Sequence, residues 1–381
     1  MAAQRRLLLA ARWRASISDG EQLSAELSPG QYSVSETVPA GWDLIDISCD
    51  NDAVTTDLNM ASIALTLNGT GSATTCTFTN RQRGRIEIHK QTQPAGAPES
   101  FNFSGDLGDF TLQDGDSNIR MDLPASRTYV IQEADPAPDF DMTTISCHES
   151  INLNSTHTLT TRTVTVALDP GELVICTFTN RQRGQIEIRK ETQPAGAPES
   201  FNFSGDLGDF TLQDGDSNIR MDLPASSTYV IREADPAPDF DLTAINCDES
   251  TMPNSRVDIP TRTATVALNP GESVICTFTN RQRAQLNISV DVFGPDFNTM
   301  FSFTTSGGLS PSNFSLHDGE TQSFSGLIPD QTYTVNEQVP ANWVLEEILC
   351  SSHRRCVKRA VSSSRRSRGN PLTPHSAFGW G

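Results

Sequence analysis

Hydrophobic and polar positions alternate in short runs along most of the chain: Ile86-Glu87-Ile88, Phe101-Asn102-Phe103, Tyr129-Val130-Ile131 and Val164-Thr165-Val166. Alternation of period two marks strands with one face buried. Turn formers separate the runs, as in Pro94-Ala95-Gly96, Asp114-Gly115-Asp116 and Asp169-Pro170-Gly171. No stretch carries a 3.6-residue period with helix caps. About seven strands per hundred residues predict an all-β chain of antiparallel β-sandwiches.

The runs recur. Thr92–Ser126 reappears unchanged as Thr192–Ser226, and Cys176–Arg183 as Cys276–Arg283. A fixed period of this size means one fold unit stacked in tandem. The expected organisation is a basic non-repeat N-terminus (1–15), a truncated first copy lacking its opening strands (16–83), and intact copies at 84–183 and 184–283. A truncated fourth copy lacking its last strands (284–350) and a basic disordered tail (351–381) follow. The missing pieces of the outer copies are complementary, which raises head-to-tail pairing between chains as an expectation.

Charge narrows the partners. Residues 16–350 carry 17 basic and 47 acidic side chains, while both ends are Arg-rich and lack acids. A body of net charge −30 repels phosphate backbones, so nucleic acid is not an expected partner. No apolar run approaches the roughly 20 residues of a membrane span. Leu7–Ala11 is too short for a signal-peptide core, so no secretion signal is expected within these residues.

Each copy has one cysteine in a late strand and one in its last strand: Cys49 with Cys76, Cys147 with Cys176, and Cys247 with Cys276. The repetition, without a CxxC or a repeated His, reads as one disulfide per copy in an oxidising compartment, with zinc as the weaker alternative. Cys350 lacks its partner strand in this reading, and Cys356 falls in the tail.

The body has two lysines, Lys90 and Lys190, at the same point of the opening strand. Alternation sets Lys90 on the face of Ile86 and Ile88, Glu133 on that of Tyr129 and Ile131, and Asn180 on that of Cys176 and Phe178. Lys190, Glu233 and Asn280 repeat the arrangement. Burial lowers the pKa of an amine and raises that of a carboxyl. A neutral amine beside a carboxamide, with Glu133 or Glu233 moving protons, can form a Lys–Asn isopeptide bond. Arginine cannot replace lysine, because it stays protonated. The other reading is a Lys–Glu ion pair with Asn ending the strand.

The pattern Ile88-x-Lys90, Phe110-Thr-Leu-x-Asp-Gly, Tyr129-x-Ile-x-Glu133 and Phe178-Thr-Asn180 resembles the SpaA-like, Cna B-type (prealbumin-like) repeat domains of bacterial surface adhesins and pilins. The first copy adds Pro29-Gly30-x-Tyr32-x-Val34-x-Glu36 and Val38-Pro-Ala-Gly41-Trp42. The resemblance implies isopeptides Lys90–Asn180 and Lys190–Asn280, with Glu133 and Glu233 assisting. Two copies depart from it: the fourth has Val290 at the lysine position, and the first keeps Glu36 and Asn80 without a lysine strand.

Asp114, Asp116 and Asn118 have the opening spacing of a calcium loop but lack its later glycine and glutamate, so an acidic turn is the better reading. No phosphate loop or nucleophile elbow is present. The expected function is a structural extracellular stalk or spacer at a bacterial cell surface, neither enzyme nor cofactor protein. Its possible partners are other extracellular or host-surface proteins. The alternative is a module recognising a host protein or glycan through its loops.

Overall fold

The structure, a computed structural model, describes residues 5–9, 13–51, 53–69, 73–294, 296–351 and 355–362, with side chains placed in the range 14–350. Among them there are no helices; every element is a strand. Two compact units divide the chain, one holding most of residues 1–184 and the other most of 185–381.

The second copy shows how the pattern becomes a sandwich. One sheet runs in the order Ser117–Leu123, Gly84–Gln93, Leu173–Gln182, Phe140–Glu149. The other runs Phe110–Leu112, Phe101–Gly105, Arg127–Glu133, Thr163–Leu168, Thr156–Thr158. Their inner faces bury Ile86, Ile88, Phe103, Ile131, Val166 and Phe178 in one core. The alternating residues point to opposite faces, so each strand supplies a dry side and a wet side. The third copy repeats both sheet orders.

Two features differ from the expectation. Each intact copy has nine strands, because Phe110–Leu112 and Thr156–Thr158 form short edges that sequence runs of three cannot announce. And one pairing is parallel: Leu173–Gln182 lies alongside Gly84–Gln93, with Phe178 opposite Lys90 and Asn180 opposite Thr92. The first and last strands of a copy are therefore neighbours.

Phe101–Gly105 can cross close to its neighbour because of its terminal glycine. Gly105 has φ 125°, and a Cβ there would meet the Val130 carbonyl at 2.1 Å. Asp114, read above as part of an acidic turn, accepts the amides of Thr92 and Gly96, and Asp116 that of Gln113. These carboxylates thus pin the turn to the opening strand.

The outer copies require corrections. Within the expected non-repeat N-terminus, Arg5–Leu9 pairs with both Gly30–Thr37 and Trp13–Ile17. These two strands take the places held by Phe101–Gly105 and Phe110–Leu112 in the intact copy. Among the described residues, no lysine strand and no outer neighbour of it accompany the first copy, and Trp42–Cys49 and Cys76–Gln82 form a two-stranded sheet. In the fourth copy, Arg355–Ser362, expected to be disordered, forms a strand parallel to Ala284–Phe293 and antiparallel to Trp343–Ser351. It fills the last-strand place. Cys350 is disulfide-bonded and lies in register with Cys356. Ala284–Phe293 is flanked on both sides, so it is not available to complete a first copy in another chain. Residues 363–381 of the expected tail lie outside the described residues.

The disulfides Cys49–Cys76, Cys147–Cys176 and Cys247–Cys276 form as expected, spanning 27, 29 and 29 residues. Each links residues directly opposite in an antiparallel pair. Replacing both Cys147 and Cys176 by Ala is expected to destabilise the second copy by about 3.5 kcal/mol in the chain-entropy picture. Urea denaturation, followed by hydrogen exchange of Phe140–Glu149, measures it.

Candidate functional site

The site grows from three strands. Gly84–Gln93 carries Lys90, Arg127–Glu133 ends in Glu133, and Leu173–Gln182 carries Asn180. All three side chains point between the sheets: Lys90 and Glu133 are 1% exposed and Asn180 is 0% exposed. Such burial of an ion is costly unless it is paired and hydrogen-bonded.

The pairing is partial. Lys90 Nζ lies 3.5 Å from Glu133 Oε2, an ionic contact longer than a good hydrogen bond. The amine donates to the carbonyls of Phe178 and Gln91, each at 3.3 Å. It also sits 4.3 Å above the Phe101 ring, whose face attracts a cation. Asn180 Nδ2 donates a short hydrogen bond to Glu133 Oε1. Glu133 Oε2 and Asn180 Oδ1 are buried without a hydrogen-bond partner.

The third copy is built alike. Lys190 Nζ lies 3.8 Å from Glu233 Oε1, donates to the carbonyls of Phe278 and Glu191 at 2.9 Å, and caps the Phe201 ring at 4.4 Å. Asn280 Nδ2 donates to Glu233 Oε1 at 2.6 Å, and Asn280 Oδ1 again has no hydrogen-bond partner. Glu233 thus touches the amine and the amide at once, as Glu133 does.

Electrostatics follow from dryness. Burial lowers the Lys90 and Lys190 amines from 10.5 to about 8, against the pull of Glu133 and Glu233. Burial raises the Glu133 and Glu233 carboxyls, with the facing amine and amide opposing it. Both shifts favour the neutral pair. A protonated Glu133 is a donor, so turning the Asn180 amide over would place its carbonyl under that proton. The resulting state has a neutral amine and a polarised carbonyl, the two partners an acyl transfer needs.

Sequence alternation did not point to the ring of Phe101 under the amine or to the carbonyl of Phe178 beside it. Phe101-x-Phe103 recurs as Phe201-x-Phe203, a signal that could have found the ring. The repeated Arg–Asp pairs closing each copy were also missed: Arg83–Asp43, Arg183–Asp141 and Arg283–Asp241, each at 2.6 Å.

The outer copies show what remains when the set is broken. In the fourth copy Val290 stands at the lysine position, and the register puts Ala360 where an intact copy has Asn. In the first copy Asn80 Nδ2 donates to Glu36 Oε1 at 2.7 Å, with no lysine strand alongside among the described residues.

The family model of the prealbumin-like fold domain, of SpaA type, matches residues 10–82, 86–182 and 186–282. The chain belongs to this family. The first match includes residues 10–15, which the sequence reading had placed outside the repeat. No curated protein sequence matches the chain. Among solved structures, the chain is similar to the Bacillus anthracis TIE protein at 13% identity and TM-score 0.33, covering 94% of this chain and 65% of that one. It is also similar to the pilus adhesin SpaC of Lactobacillus rhamnosus GG, at 10% identity and TM-score 0.29, covering 88% and 57%. The major pilin protein T-13 of Streptococcus pyogenes matches at 11% identity and TM-score 0.24, covering 53% and 98%. The chain thus spans less than two thirds of the length of the first two.

The buried pair predicts a pH signature. Between about 8 and 10.5 the unfolded chain binds more protons at Lys90 than the folded chain, so the stability of an unbonded copy rises with pH across that window. Glu133 acts oppositely: above 4.5 the folded carboxyl keeps a proton that the unfolded one has lost, so stability falls until its raised value is passed. Urea midpoints of the Asn180→Ala variant, which keeps a free amine, should climb from pH 8 to 10.5; a copy whose amine has become an amide should show no such climb.

Proposed function

We propose that the chain is a structural extracellular repeat protein, a stalk or spacer of a surface protein, whose two intact copies each close a Lys–Asn isopeptide bond. The observation that carries this reading is the dry triad itself, in which one carboxyl touches both an amine and an amide while the amide carbonyl stays unpartnered.

The step balances without a cofactor. Lys90 Nζ attacks Asn180 Cγ, a new amide bond forms, the Cγ–Nδ2 bond breaks, and ammonia leaves. The protonated Glu133 gives its proton to the Asn180 carbonyl oxygen as the amine attacks, takes one from the amine nitrogen and passes it to the departing Nδ2, and recovers its own as the carbonyl reforms. The Phe178 and Gln91 carbonyls hold the amine in place. Lys190, Glu233 and Asn280 take the same roles. The chemistry turns over once per copy, on the chain's own side chains.

The rest of the molecule suits a spacer. A cross-link from Lys90 to Asn180 closes a loop of about 90 residues and stabilises the copy by about 4.5 kcal/mol in the chain-entropy picture. Disulfides in three copies fit an oxidising, extracellular setting. The first joint is short: one residue, Arg83, separates the strands Cys76–Gln82 and Gly84–Gln93. Its guanidinium grips Asp43 behind it at 2.6 Å and the Asp122 carbonyl ahead at 3.3 Å.

Intact mass of the denatured, reduced chain tests the reading. The expected mass lies two ammonias below the sequence mass, one for each complete copy. Lys90→Ala should restore one ammonia, and Lys90→Ala with Lys190→Ala should restore both. An unmodified wild-type mass would leave only an ion-paired sandwich.

A further inference from the structure

Glu133 is held by a turn outside the triad. Its N–H donates to the Arg162 carbonyl at 3.0 Å, and the Arg162 N–H donates to the Leu159 carbonyl at 3.0 Å. The Arg162 side chain comes back to the same glutamate: Nε donates to the Glu133 carbonyl at 3.4 Å, and Nη1 pairs with Asp135 at 3.5 Å. Arg162 has φ 55°, a left-handed conformation uncommon outside glycine. The third copy repeats the turn. Glu233 N–H donates to the Arg262 carbonyl at 3.0 Å, Arg262 also has φ 55°, and its guanidinium pairs with Asp235 at 3.8 Å.

The first copy supplies a contrast. Glu36 N–H donates to the Ala61 carbonyl at 2.8 Å, and Ala61 has φ 46°. Ala61 precedes the strand Ser62–Leu67 as Arg162 precedes Thr163–Leu168. A methyl side chain therefore suffices for the turn and its bond to the glutamate. The guanidinium is an addition, found in the two copies that bring amine, carboxyl and amide together. The aspartate turn does not discriminate in this way: Asp318 accepts the Val292 amide at 2.8 Å in the fourth copy, where Val290 stands at the lysine position.

The added group brings charge to a dry place. Burial raises the Glu133 carboxyl, and Lys90, Asn180 and Arg162 oppose it. Lys190, Asn280 and Arg262 oppose burial at Glu233 in the same way. Asp135, paired with Arg162 and 62% exposed, offsets part of the guanidinium charge, while Asp114 acts on Lys90. The two cations differ in kind. The Lys90 charge vanishes when the amine becomes neutral, whereas an arginine stays protonated. A carboxyl lifted by burial with nothing to oppose it would hold its proton rather than pass it on, and proton transfer works best near the operating pH.

We infer that Arg162 and Arg262 are positioning residues that act through Glu133 and Glu233, keeping a permanent positive charge beside each assisting glutamate. The inference rests on the lysine–asparagine chemistry proposed above. The arginine sets the alkaline limit of bond formation, because above that limit the carboxyl has no proton to give to the asparagine carbonyl.

Two readouts test it. The chain carrying Asn180→Ala and Asn280→Ala keeps both amines free, and NMR titration of its labelled glutamate carboxyls follows Glu133 with Glu233 as internal control. Adding Arg162→Ala should move the Glu133 midpoint up and leave Glu233 in place; Arg162→Lys should hold it near its starting value. Asp135→Asn leaves the arginine but removes its countercharge, so it should move Glu133 down. An unmoved or lowered Glu133 in Arg162→Ala would overturn the inference. If that variant fails to fold, Asp135→Asn decides, and an unmoved Glu133 there overturns it. For the second readout, chain with its asparagines intact is collected unfolded in urea and diluted into buffers of graded pH. The masses of the joined peptides then follow each copy. With Arg162→Ala the alkaline limit of the second copy should shift to higher pH while the third copy keeps its own; equal slowing at every pH would mark a purely structural arginine and overturn the inference. If the unsubstituted chain loses no ammonia, the earlier reading fails by itself. The titration still decides the role of the arginine: a raised Glu133 supports it and an unmoved one overturns it.

Discussion

The intact copies depend on putting a lysine where water cannot reach it. An amine in a hydrocarbon core must be neutralised or paired, and the fold arranges for both. Glu133 supplies the countercharge, two backbone carbonyls accept its protons, and an aromatic ring offers its negative face. Burial then works on both members of the ion pair in the direction of neutrality. A site that is expensive as an ion pair becomes well suited to acyl transfer.

The four copies form a natural series around that constraint. Two hold amine, carboxyl and amide together. The fourth has an aliphatic side chain in place of the amine and, by register, Ala360 in place of the amide. The first shows carboxyl and amide together, with no amine strand beside them among the described residues. The disulfide recurs in the first three copies, and Cys350 is also disulfide-bonded, so the covalent pin between the last two strands is independent of the triad.

Much of this was legible in the residues. Period-two alternation placed Lys90, Glu133 and Asn180 on inward faces because strand geometry leaves a side chain only two directions. The cysteine pairing followed from repetition. Alternation says nothing about which strands become neighbours, so the parallel pairing of Gly84–Gln93 with Leu173–Gln182 was not legible. Nor was the strand at Arg355–Ser362. Its basic composition looked foreign, yet a backbone ladder bonds main-chain groups whatever the side chains, and Cys356 falls opposite Cys350 all the same. Arg5–Leu9 misled for the same reason: the arginines hid a strand that pairs on both edges.

The parallel neighbours at the heart of each intact copy also decide how the copy meets tension. The chain enters at the start of Gly84–Gln93 and leaves at the end of Leu173–Gln182, two strands bonded side by side and running the same way. Pulling the two ends apart therefore slides one strand along the other and loads their ladder of hydrogen bonds together, rather than peeling them singly. The copy resists as a lap joint does, over its whole length at once.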